Sequence, residues 1–386
     1  MEGGLRKPMA VKEAIKKITE KNNGKDLDFI LVFTIIVLLC VGLIALSSAS
    51  SYTALIVQGD SNYYFIRQLA FAVVGAIAMF VISKIDYSIY EKYGYVIYAI
   101  ALVAMLLVFV PGLGSEVKGA RRWIDLGFIS FQPSELMKPA LAIGIAAYIS
   151  KNQDKMKSLL GYVVPALMIG VVCVVMYFQS HLSGAIIMVV IGAATIFTSG
   201  FKLKTRTIVI AIIVVVTAVS LFLFTSEYRM ARVKAFLNPE EDITGSNWQP
   251  TQSLYAIGSG GLFGVGIGQS RQKYLWLPES QNDFVFSIWA EEFGFVGSLA
   301  VVLLFVLFIY RAVALILKSR DLFSVMMATG IISMFAFQMI MNVAVVTKLI
   351  PTTGMPLPFF SCGGTSLLIN LASVGIVLNV ARQRRY

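Results

Sequence analysis

The chain has 386 residues, of which 58% are hydrophobic and 14% are charged, and its mean hydropathy is +0.79. A soluble domain is roughly 45–50% apolar and about 25% charged, so this composition excludes an ordinary soluble protein and predicts a membrane protein. The formal net charge of +11 would suggest a nucleic-acid partner in a soluble chain. Because the basic residues are distributed around apolar runs, we expect no nucleic-acid partner.

Long apolar runs recur along the chain, and about 20 apolar residues suffice for one transmembrane helix. Ten such runs predict an all-α polytopic membrane protein with ten transmembrane helices. They cover approximately 27–50, 64–84, 93–111, 134–150, 160–178, 183–199, 207–225, 284–310, 322–346 and 364–381. The runs are continuous and do not alternate, which excludes an outer-membrane barrel. The spacers are too short for a separate soluble domain, so residues 27–386 are assigned to one membrane domain.

Residues 1–26 are polar and lysine-rich, and they are predicted to form a cytoplasmic tail. The apolar run after them is too long for the core of a signal peptide, which indicates an uncleaved helix. With ten spans both termini then lie in the cytoplasm, and most basic residues fall in inside loops, as the positive-inside rule expects. A large extracytoplasmic loop, residues 226–283, is predicted between the seventh and eighth spans.

Two outside loops, 112–133 and 226–283, carry basic residues on the disfavoured side of the membrane. These residues are Lys118, Arg121, Arg122, Arg229, Arg232, Lys234, Arg271 and Lys273. Contact with anionic lipid headgroups is one explanation. The other is a phosphate-bearing ligand at the outer face, for which arginine supplies bidentate donors and lysine a point charge.

The loop 112–133 leads into a helix for which Pro133 and Ser134 make a good start. Glu135 and Lys138 follow, three residues apart on one helical face, where they can pair. A buried pair of this kind can simply lock helices together. The alternative is that Lys138 points into a cavity and meets a phosphate or a carboxylate.

Three parts of the large outside loop carry different signals. Basic and apolar residues interleave over 228–239, which predicts a short interfacial amphipathic helix. Six glycines between 258 and 268 lack the Lys-Ser/Thr ending of a phosphate-binding loop, so they favour a re-entrant turn that lets another segment or a lipid approach. Residues 269–283 mix cations and carboxylates beside an apolar helix, which suits binding an anionic headgroup and moving a proton next to it.

Charged residues inside apolar spans need partners or a polar cavity. Arg67 can face the bundle or extend to the outer surface, whereas Glu291 and Glu292 need partners or a water-filled pocket. Residues 351–366 contain three prolines, and rigid backbone at membrane depth lines a cavity or is buried in protein. The three cysteines indicate no metal or disulfide framework, and the single His181 is predicted to be a turn residue without a chemical role.

Several motifs are spread over the chain after residue 27. They are Arg121-Arg122-Trp123 with Gln132-Pro133-Ser134-Glu135-Leu136 and Lys138, Gln252-Ser253 with the glycine run, Leu277-Pro278-Glu279 with Asp283-Phe284, Glu291-Glu292 with Gly294, and Pro358-Phe359 with Ser361, Gly363 and Gly364. Together they resemble the SEDS family (shape, elongation, division and sporulation), the ten-helix peptidoglycan glycosyltransferases. Residues 270–273 look more like the division and sporulation branch than the rod-elongation branch.

The chain departs from the family pattern at three places. Gln281-Asn282 stands where relatives commonly have His-Thr, and Cys362 stands where many have tyrosine. The turn Ser180-His181-Leu182-Ser183-Gly184 replaces a frequent Pro-Asp-Leu-Gly-Thr, so no acidic role is carried over to that turn. The first two changes leave the charged residues intact.

The resemblance implies polymerisation of lipid II into glycan strands at the outer face of the bacterial cytoplasmic membrane, with release of undecaprenyl pyrophosphate. It implies that Asp283 is the general base. The implied substrate-binding residues are Arg121, Arg122, Trp123, Gln132, Glu135, Lys138, Gln252, Ser253, Lys273, Glu279, Ser361, Gly363 and Gly364. Of these, Arg121, Arg122, Lys138 and Lys273 are the candidates for the pyrophosphate. A divalent cation (Mg²⁺ or Mn²⁺) shared by Asp283 and Glu279 would serve the same electrostatic end, and no organic cofactor is expected.

The resemblance also implies partners: lipid II and the growing glycan strand, a class B penicillin-binding protein acting as transpeptidase, and other membrane proteins of division or sporulation. Two alternatives stay open. A lipid II flippase would share the cations and the cavity, and a non-enzymatic scaffold would leave Asp283 dispensable. In the scaffold alternative Asp283 would only cap the eighth helix.

Overall fold

The computed structural model describes residues 27–117, 120–125, 127, 130–200, 236–237, 245, 247–319 and 321–383. Within these ranges the chain is mostly helical, with ten α-helices and one small antiparallel sheet. The helices are α1 (Phe29–Gln58), α2 (Tyr63–Ile82), α3 (Ser88–Leu107), α4 (Pro133–Lys151), α5 (Val163–Phe178), α6 (Leu182–Phe197), α7 (Trp248–Gly260), α8 (Val285–Ile316), α9 (Leu322–Val346) and α10 (Gly364–Arg382). The strands are β1 (Gly114–Val117), β2 (Ala120–Asp125) and β3 (Ser130–Phe131).

Nine of the ten predicted spans lie in the described ranges, and each coincides with an α-helix. Seven helical segments are long and apolar enough to cross a membrane by length and composition. They are α1, α2, α3, α5 with the turn before it, α8, α9 and α10. The predicted tail 1–26, the predicted span 207–225 and nearly all of the predicted amphipathic helix 228–239 lie outside the described residues.

The helix α4 lies at the centre of the bundle. It packs against α3, α6 and α9, while α10 packs against α2 and α8 packs against α1. Almost all of α4 is buried, including Glu135 and Lys138 in its first turns. Elsewhere Asp28 fixes the start of α1: its carboxylate accepts from the Leu31 amide (3.0 Å) and from both Nε (3.0 Å) and Nη2 (2.6 Å) of Arg311 in α8. This paired hydrogen bond ties the two helices together.

The small sheet formed by β1, β2 and β3 differs from the sequence analysis, which predicts only an outside loop at 112–133. β2 pairs antiparallel with both neighbours, with Gly114 opposite Ile124 and Ile124 opposite Phe131. Only Ala120 and Ile124 of β2 are buried, so the strand gives a weak alternation signal. The sheet delivers the chain directly to Pro133 at the start of α4. It lies at the end of the bundle that also contains the turn 179–181, the segment 269–283 and the loop 347–363, here called the loop end.

The glycine-rich segment 261–268 packs against a break in α8. At Gly294 the backbone leaves the helical region (φ 68°, ψ −163°), so the carbonyls before the break and the amides after it need other partners. Four backbone hydrogen bonds supply them: Val265 N to Glu291 O (3.0 Å), Gly266 N to Glu292 O (3.1 Å), Phe295 N to Gly261 O (2.9 Å) and Val296 N to Leu262 O (3.1 Å). The prediction of a glycine turn that admits another chain segment is therefore confirmed, and the admitted segment is α8.

Replacing Gly264 with alanine is expected to destabilise the fold, whereas the same change at Gly258 is not. A Cβ at Gly264 would lie 2.1 Å from the carbonyl oxygen of Glu292, at a φ of +83°, whereas a Cβ at Gly258 in α7 meets nothing within 4 Å. We expect Gly264→Ala to lower the free energy of unfolding by about 2–5 kcal/mol. Gly258→Ala should raise it by about 0.5–1 kcal/mol. Thermal unfolding in detergent measures both, and equal midpoints for the two variants would contradict the packing described.

Candidate active site

Asp283 lies at the loop end, two residues before α8 begins. Its side chain is half-buried, and its backbone carbonyl accepts from Nδ2 of Asn342 in α9 (2.8 Å). The same Nδ2 donates to the carbonyl of Met355 (2.8 Å), so one amide joins the backbone of Asp283 to the loop after α9. Gly354 of that loop has a φ of +69°, and a Cβ there would lie 3.3 Å from Oδ2 of Asp283. The carboxylate thus faces the loop 347–363 at close range.

The chain before Asp283 is held against α1. Ser280 Oγ donates to the carbonyl of Ala49 (3.3 Å), and Leu277 is almost completely buried. Glu279 accepts a hydrogen bond from Asn282 Nδ2 (2.6 Å) and has a left-handed backbone, with φ 57°. Such a backbone is uncommon for a residue other than glycine, and it turns the chain so that Glu279 and Asp283 emerge from the same tight bend.

The loop after α9 is fastened by Gln68 of α2. Gln68 Nε2 donates to the carbonyl of Ser361 (3.2 Å), and Gln68 Oε1 accepts from the amide of Gly363 (3.1 Å). The amide of Cys362 donates to the carbonyl of Gln281 (2.9 Å), which brings this loop beside the segment that carries Asp283. Gly364 lies against the Phe71 ring, where a Cβ would come within 2.1 Å. Backbone hydrogen bonds account for Ser361 and Gly363, and packing against Phe71 accounts for Gly364. Contact of these three residues with substrate stays a prediction.

Glu135 and Lys138 form a buried ion pair. Lys138 Nζ lies 2.7 Å from each carboxylate oxygen of Glu135, and both side chains are almost completely buried. Ser366 in the first turn of α10 donates to Glu135 (3.1 Å), and the next residue back, Thr365, donates to the carbonyl of Ser130 (3.3 Å). The pair therefore links α4 to α10, and Thr365 links α10 to the sheet. Of the two alternatives, the contact with α10 supports the helix-locking one.

Arg121 and Arg122 are adjacent in β2 and lie in different surroundings. Arg121 is exposed and pairs with Glu116 of β1 (3.2 Å). Arg122 is half-buried and donates to the carbonyls of Gln179 (3.2 Å) and Ser180 in the turn before α6. Arg121 is thus the more accessible cation, while Arg122 holds the turn that contains His181.

Lys273 is buried away from these cations, beside the break in α8. Its Nζ contacts the Gly268 carbonyl (2.6 Å), Ser48 Oγ (3.1 Å) and Glu292 Oε1 (3.2 Å). Glu291 accepts from the hydroxyl of Ser270 and from the amides of Arg271 (2.9 Å) and Gln272 (3.4 Å). The prediction that both glutamates need partners is confirmed. The predicted role of Lys273 at a pyrophosphate would require this ion pair to open.

The remaining predicted residues lie around the site. Ser253 is fully buried in α7, where its hydroxyl contacts Ser287 Oγ (2.7 Å) and the Val346 carbonyl (2.6 Å), and its neighbour Gln252 is buried too. Trp123 and Gln132 are half-buried in β2 and at the start of α4. Arg67 is exposed and contacts the hydroxyl of Tyr63 (3.4 Å).

Hydrogen bonds therefore connect the loop end: Asn342 joins Asp283 to the loop 347–363, Ser183 joins that loop to the arginine-bound turn, and Ser366 just after the loop bonds to the Glu135–Lys138 pair. Sequence reasoning missed Gln68 and Asn342, the two amides that hold the loop. Their signal was available, since a buried amide in an apolar helix needs hydrogen-bonding partners.

Apolar helices around buried ion pairs, with a carboxylate and cations at one end, define an integral membrane protein with a polar site at its surface. The chain belongs to the FtsW/RodA/SpoVE family, described as cell cycle proteins, whose model matches residues 29–386. This confirms the family that the sequence motifs predicted.

Individual relatives match over nearly the whole chain. The chain is 41% identical over 372 residues to Stage V sporulation protein E of Bacillus subtilis (strain 168), covering 96% of this chain and 100% of the relative. It is 38% identical over 360 residues to the probable peptidoglycan glycosyltransferase FtsW of Trichlorobacter lovleyi, covering 92% of this chain and 93% of the relative.

Solved structures share the fold. One is a chain of a peptidoglycan synthase complex, from a structure described as the structural coordination of polymerization and crosslinking by that complex. It matches with a TM-score of 0.76 and 27% identity, covering 93% of this chain and 98% of that one. The rod shape determining protein RodA of Thermus thermophilus matches with a TM-score of 0.68 and 27% identity, covering 94% and 98%.

Proposed function

We propose that this protein is a peptidoglycan glycosyltransferase that polymerises lipid II into glycan strands for the division septum or the spore cortex. The observation that carries the proposal is the half-buried Asp283 at the loop end, faced by Gly354 and joined through the loop to the Glu135–Lys138 pair. The similarity to proteins named peptidoglycan glycosyltransferase supports it.

The chemistry assigns one task to the carboxylate. A sugar hydroxyl of one lipid-linked molecule attacks the anomeric carbon of the other, the new glycosidic C–O bond forms, and the bond to the lipid diphosphate breaks. The hydroxyl proton must be accepted as attack proceeds, and a carboxylate does this in inverting sugar transfer. Asp283 takes that proton, and undecaprenyl pyrophosphate departs with the electron pair.

Positive charge must meet the departing diphosphate, where negative charge develops. Arg121 is accessible for this task, and Arg122 lies beside it on the same strand. Lys138 and Lys273 each hold a buried glutamate and would reach a phosphate only by exchanging that partner. We therefore expect Lys138 and Lys273 to contribute less to binding the diphosphate than Arg121 and Arg122 do.

A divalent cation fits the site only together with the substrate. Among the described residues no group of three or more His, Cys, Asp or Glu side chains is placed to hold a metal ion. Magnesium is commonly held by one or two carboxylates together with substrate phosphates. Asp283 and Glu279 can provide the two carboxylates. An ion held there would neutralise negative charge on the diphosphate, and Asp283 would help to hold the ion in position.

Partners and orientation follow from the same proposal. The loop end faces the outside of the bacterial cytoplasmic membrane, and both termini lie in the cytoplasm, because that arrangement places most basic residues inside. A class B penicillin-binding protein crosslinks the strands that this chain polymerises, and further division or sporulation membrane proteins join the assembly. The structural similarity to a chain of a peptidoglycan synthase complex supports such a partner.

The test is glycan-chain electrophoresis after incubating the purified protein and its transpeptidase partner with lipid II. We expect long glycan strands, and a loss of product on adding a chelator that Mg²⁺ or Mn²⁺ restores. Lipid II crossing vesicle membranes without any polymer would replace this proposal with the flippase alternative. Full activity in chelator would remove the cation while leaving the glycosyltransferase.

A further inference from the structure

Three buried polar atoms in segments that meet near Asp283 have no hydrogen-bond partner among the described residues. They are Nδ1 of His181, Oγ1 of Thr353 and Oδ1 of Asn342. Buried polar atoms are almost always hydrogen-bonded, so an unpaired one needs an explanation, and a bound water or ligand supplies one. Asn342 is completely buried, which makes its unpaired oxygen the most informative of the three.

Contacts link the three residues to the strip 353–355, and Nδ1 of His181 lies against Gly184 in the first turn of α6. The hydroxyl of Ser183, two residues after His181, donates to the carbonyl of Thr353. Thr353 precedes Gly354, which lies against the carboxylate of Asp283. Asn342 donates to the backbone carbonyls on both sides, at Asp283 and Met355. Thr353 and Asn342 therefore border the short strip 353–355 that faces the proposed base, and His181 is joined to the strip through Ser183.

The chemistry of these atoms is neutral and rich in acceptors. Both hydrogens of the Asn342 amide nitrogen are donated to carbonyls, so the capacity that Asn342 has left is the acceptor Oδ1. The hydroxyl of Thr353 can donate or accept. Burial, followed by Arg122 and then Lys138, lowers the pKa of His181 to about 3, so the imidazole is neutral at physiological pH and offers one donor and one acceptor. A ligand with several hydroxyl groups satisfies this set, whereas a phosphate does not match the acceptors.

We propose that His181, Thr353 and Asn342 form a subsite for the hydroxyl groups of a sugar beside Asp283. The inference rests on the proposed function and names the part of the substrate that this corner of the site holds. It revises the prediction that His181 is a turn residue without a chemical role. Asn342 has two roles in this subsite: its amide nitrogen positions Asp283, and its amide oxygen accepts a hydrogen bond from the sugar.

The single histidine makes a direct test possible. The Asp283→Asn variant, carrying ¹⁵N-labelled imidazole and an affinity tag free of histidine, is titrated with lipid II in nanodiscs. We expect the ¹⁵N resonance of His181 Nδ1 to shift on adding lipid II and to stay unchanged with undecaprenyl pyrophosphate alone. An equal shift with both lipids would assign the subsite to phosphate, and no shift with either would assign it to water. Both results overturn the proposal.

Kinetics with the wild-type background give an independent readout. Removing the Thr353 hydroxyl (Thr353→Val) or the imidazole (His181→Phe) should raise KM for lipid II by roughly three- to tenfold with kcat nearly unchanged, the effect of losing one neutral hydrogen bond. His181→Asn, which keeps a polar atom near the Nδ1 position, should recover most of the affinity. The matched control is Thr347→Val, whose hydroxyl bonds to its own helix at Val343 (2.7 Å).

The outcomes separate this inference from the proposed function. Wild-type protein that shows the histidine shift but makes no glycan would refute the glycosyltransferase and keep the sugar subsite. Wild-type protein that makes glycan, with Thr353→Val and His181→Phe both matching its KM, would refute the subsite and keep the glycosyltransferase.

Discussion

Purified Asp283→Asn protein, given lipid II and its partner, is expected to form glycan at a rate reduced by about 10²- to 10⁴-fold, the usual contribution of a positioned general base. The amide has the same shape as the carboxylate but cannot accept the hydroxyl proton. The backbone carbonyl that Asn342 holds is untouched by the change, so the fold should persist. Glycan electrophoresis measures the rate, and thermal unfolding verifies that the variant is intact.

A helix-capping role for Asp283 predicts the opposite pattern, with a loss of about 0.5–2 kcal/mol of stability and activity retained. The structure gives α8 a different cap residue, Phe284, without a side-chain cap hydrogen bond. Asp60→Asn is the matched control, because Asp60 is exposed in the α1–α2 turn and accepts one local amide hydrogen bond (2.9 Å). Normal polymerisation by folded Asp283→Asn protein would end the assignment of the base.

Lys273→Met should lower the free energy of unfolding by about 3–5 kcal/mol, because it leaves Glu292 as a buried charge without its cation. The double variant Lys273→Met with Glu292→Gln should recover a large part of that loss, since no unpaired charge remains. Lys84→Met, at the exposed end of α2, is the control and should change stability by less than about 0.5 kcal/mol. Thermal unfolding in detergent measures all three.

The same double variant decides what Lys273 does. If Lys273 only holds the segment 269–283 against α8, the restored protein polymerises lipid II normally. If Lys273 also binds the diphosphate, the restored protein is stable but slow. A double variant as unstable as Lys273→Met alone would contradict the ion pair as the source of stability.

The sequence was sufficient for the features that depend on local composition. Apolar runs located nine described helices, because burial in hydrocarbon leaves a continuous signal in each segment. The motifs spread over the chain together identified the family, and the glycine run predicted close backbone approach. These inferences need only residues that are neighbours in the sequence, or short motifs made of such residues.

Features that depend on distant segments meeting were not predictable. The pairing of Lys273 with Glu292 requires the chain to fold back across 19 residues, and no local pattern specifies that return. The sheet at 114–131 was missed because only two residues of its longest strand are buried. The helix α7 was missed because its apolar content is too low for a span, and the break at Gly294 was missed because the flanking residues continue the apolar run.

The interruption of α8 at Gly294 has a mechanical consequence. The glycine segment and α8 complete each other's main-chain hydrogen bonds, four in all. Separating the two would break these bonds together, so the segment and the helix move as one stiff unit. The loop after α9, by contrast, is held by side-chain hydrogen bonds from Gln68, Ser183 and Asn342, which can break one at a time.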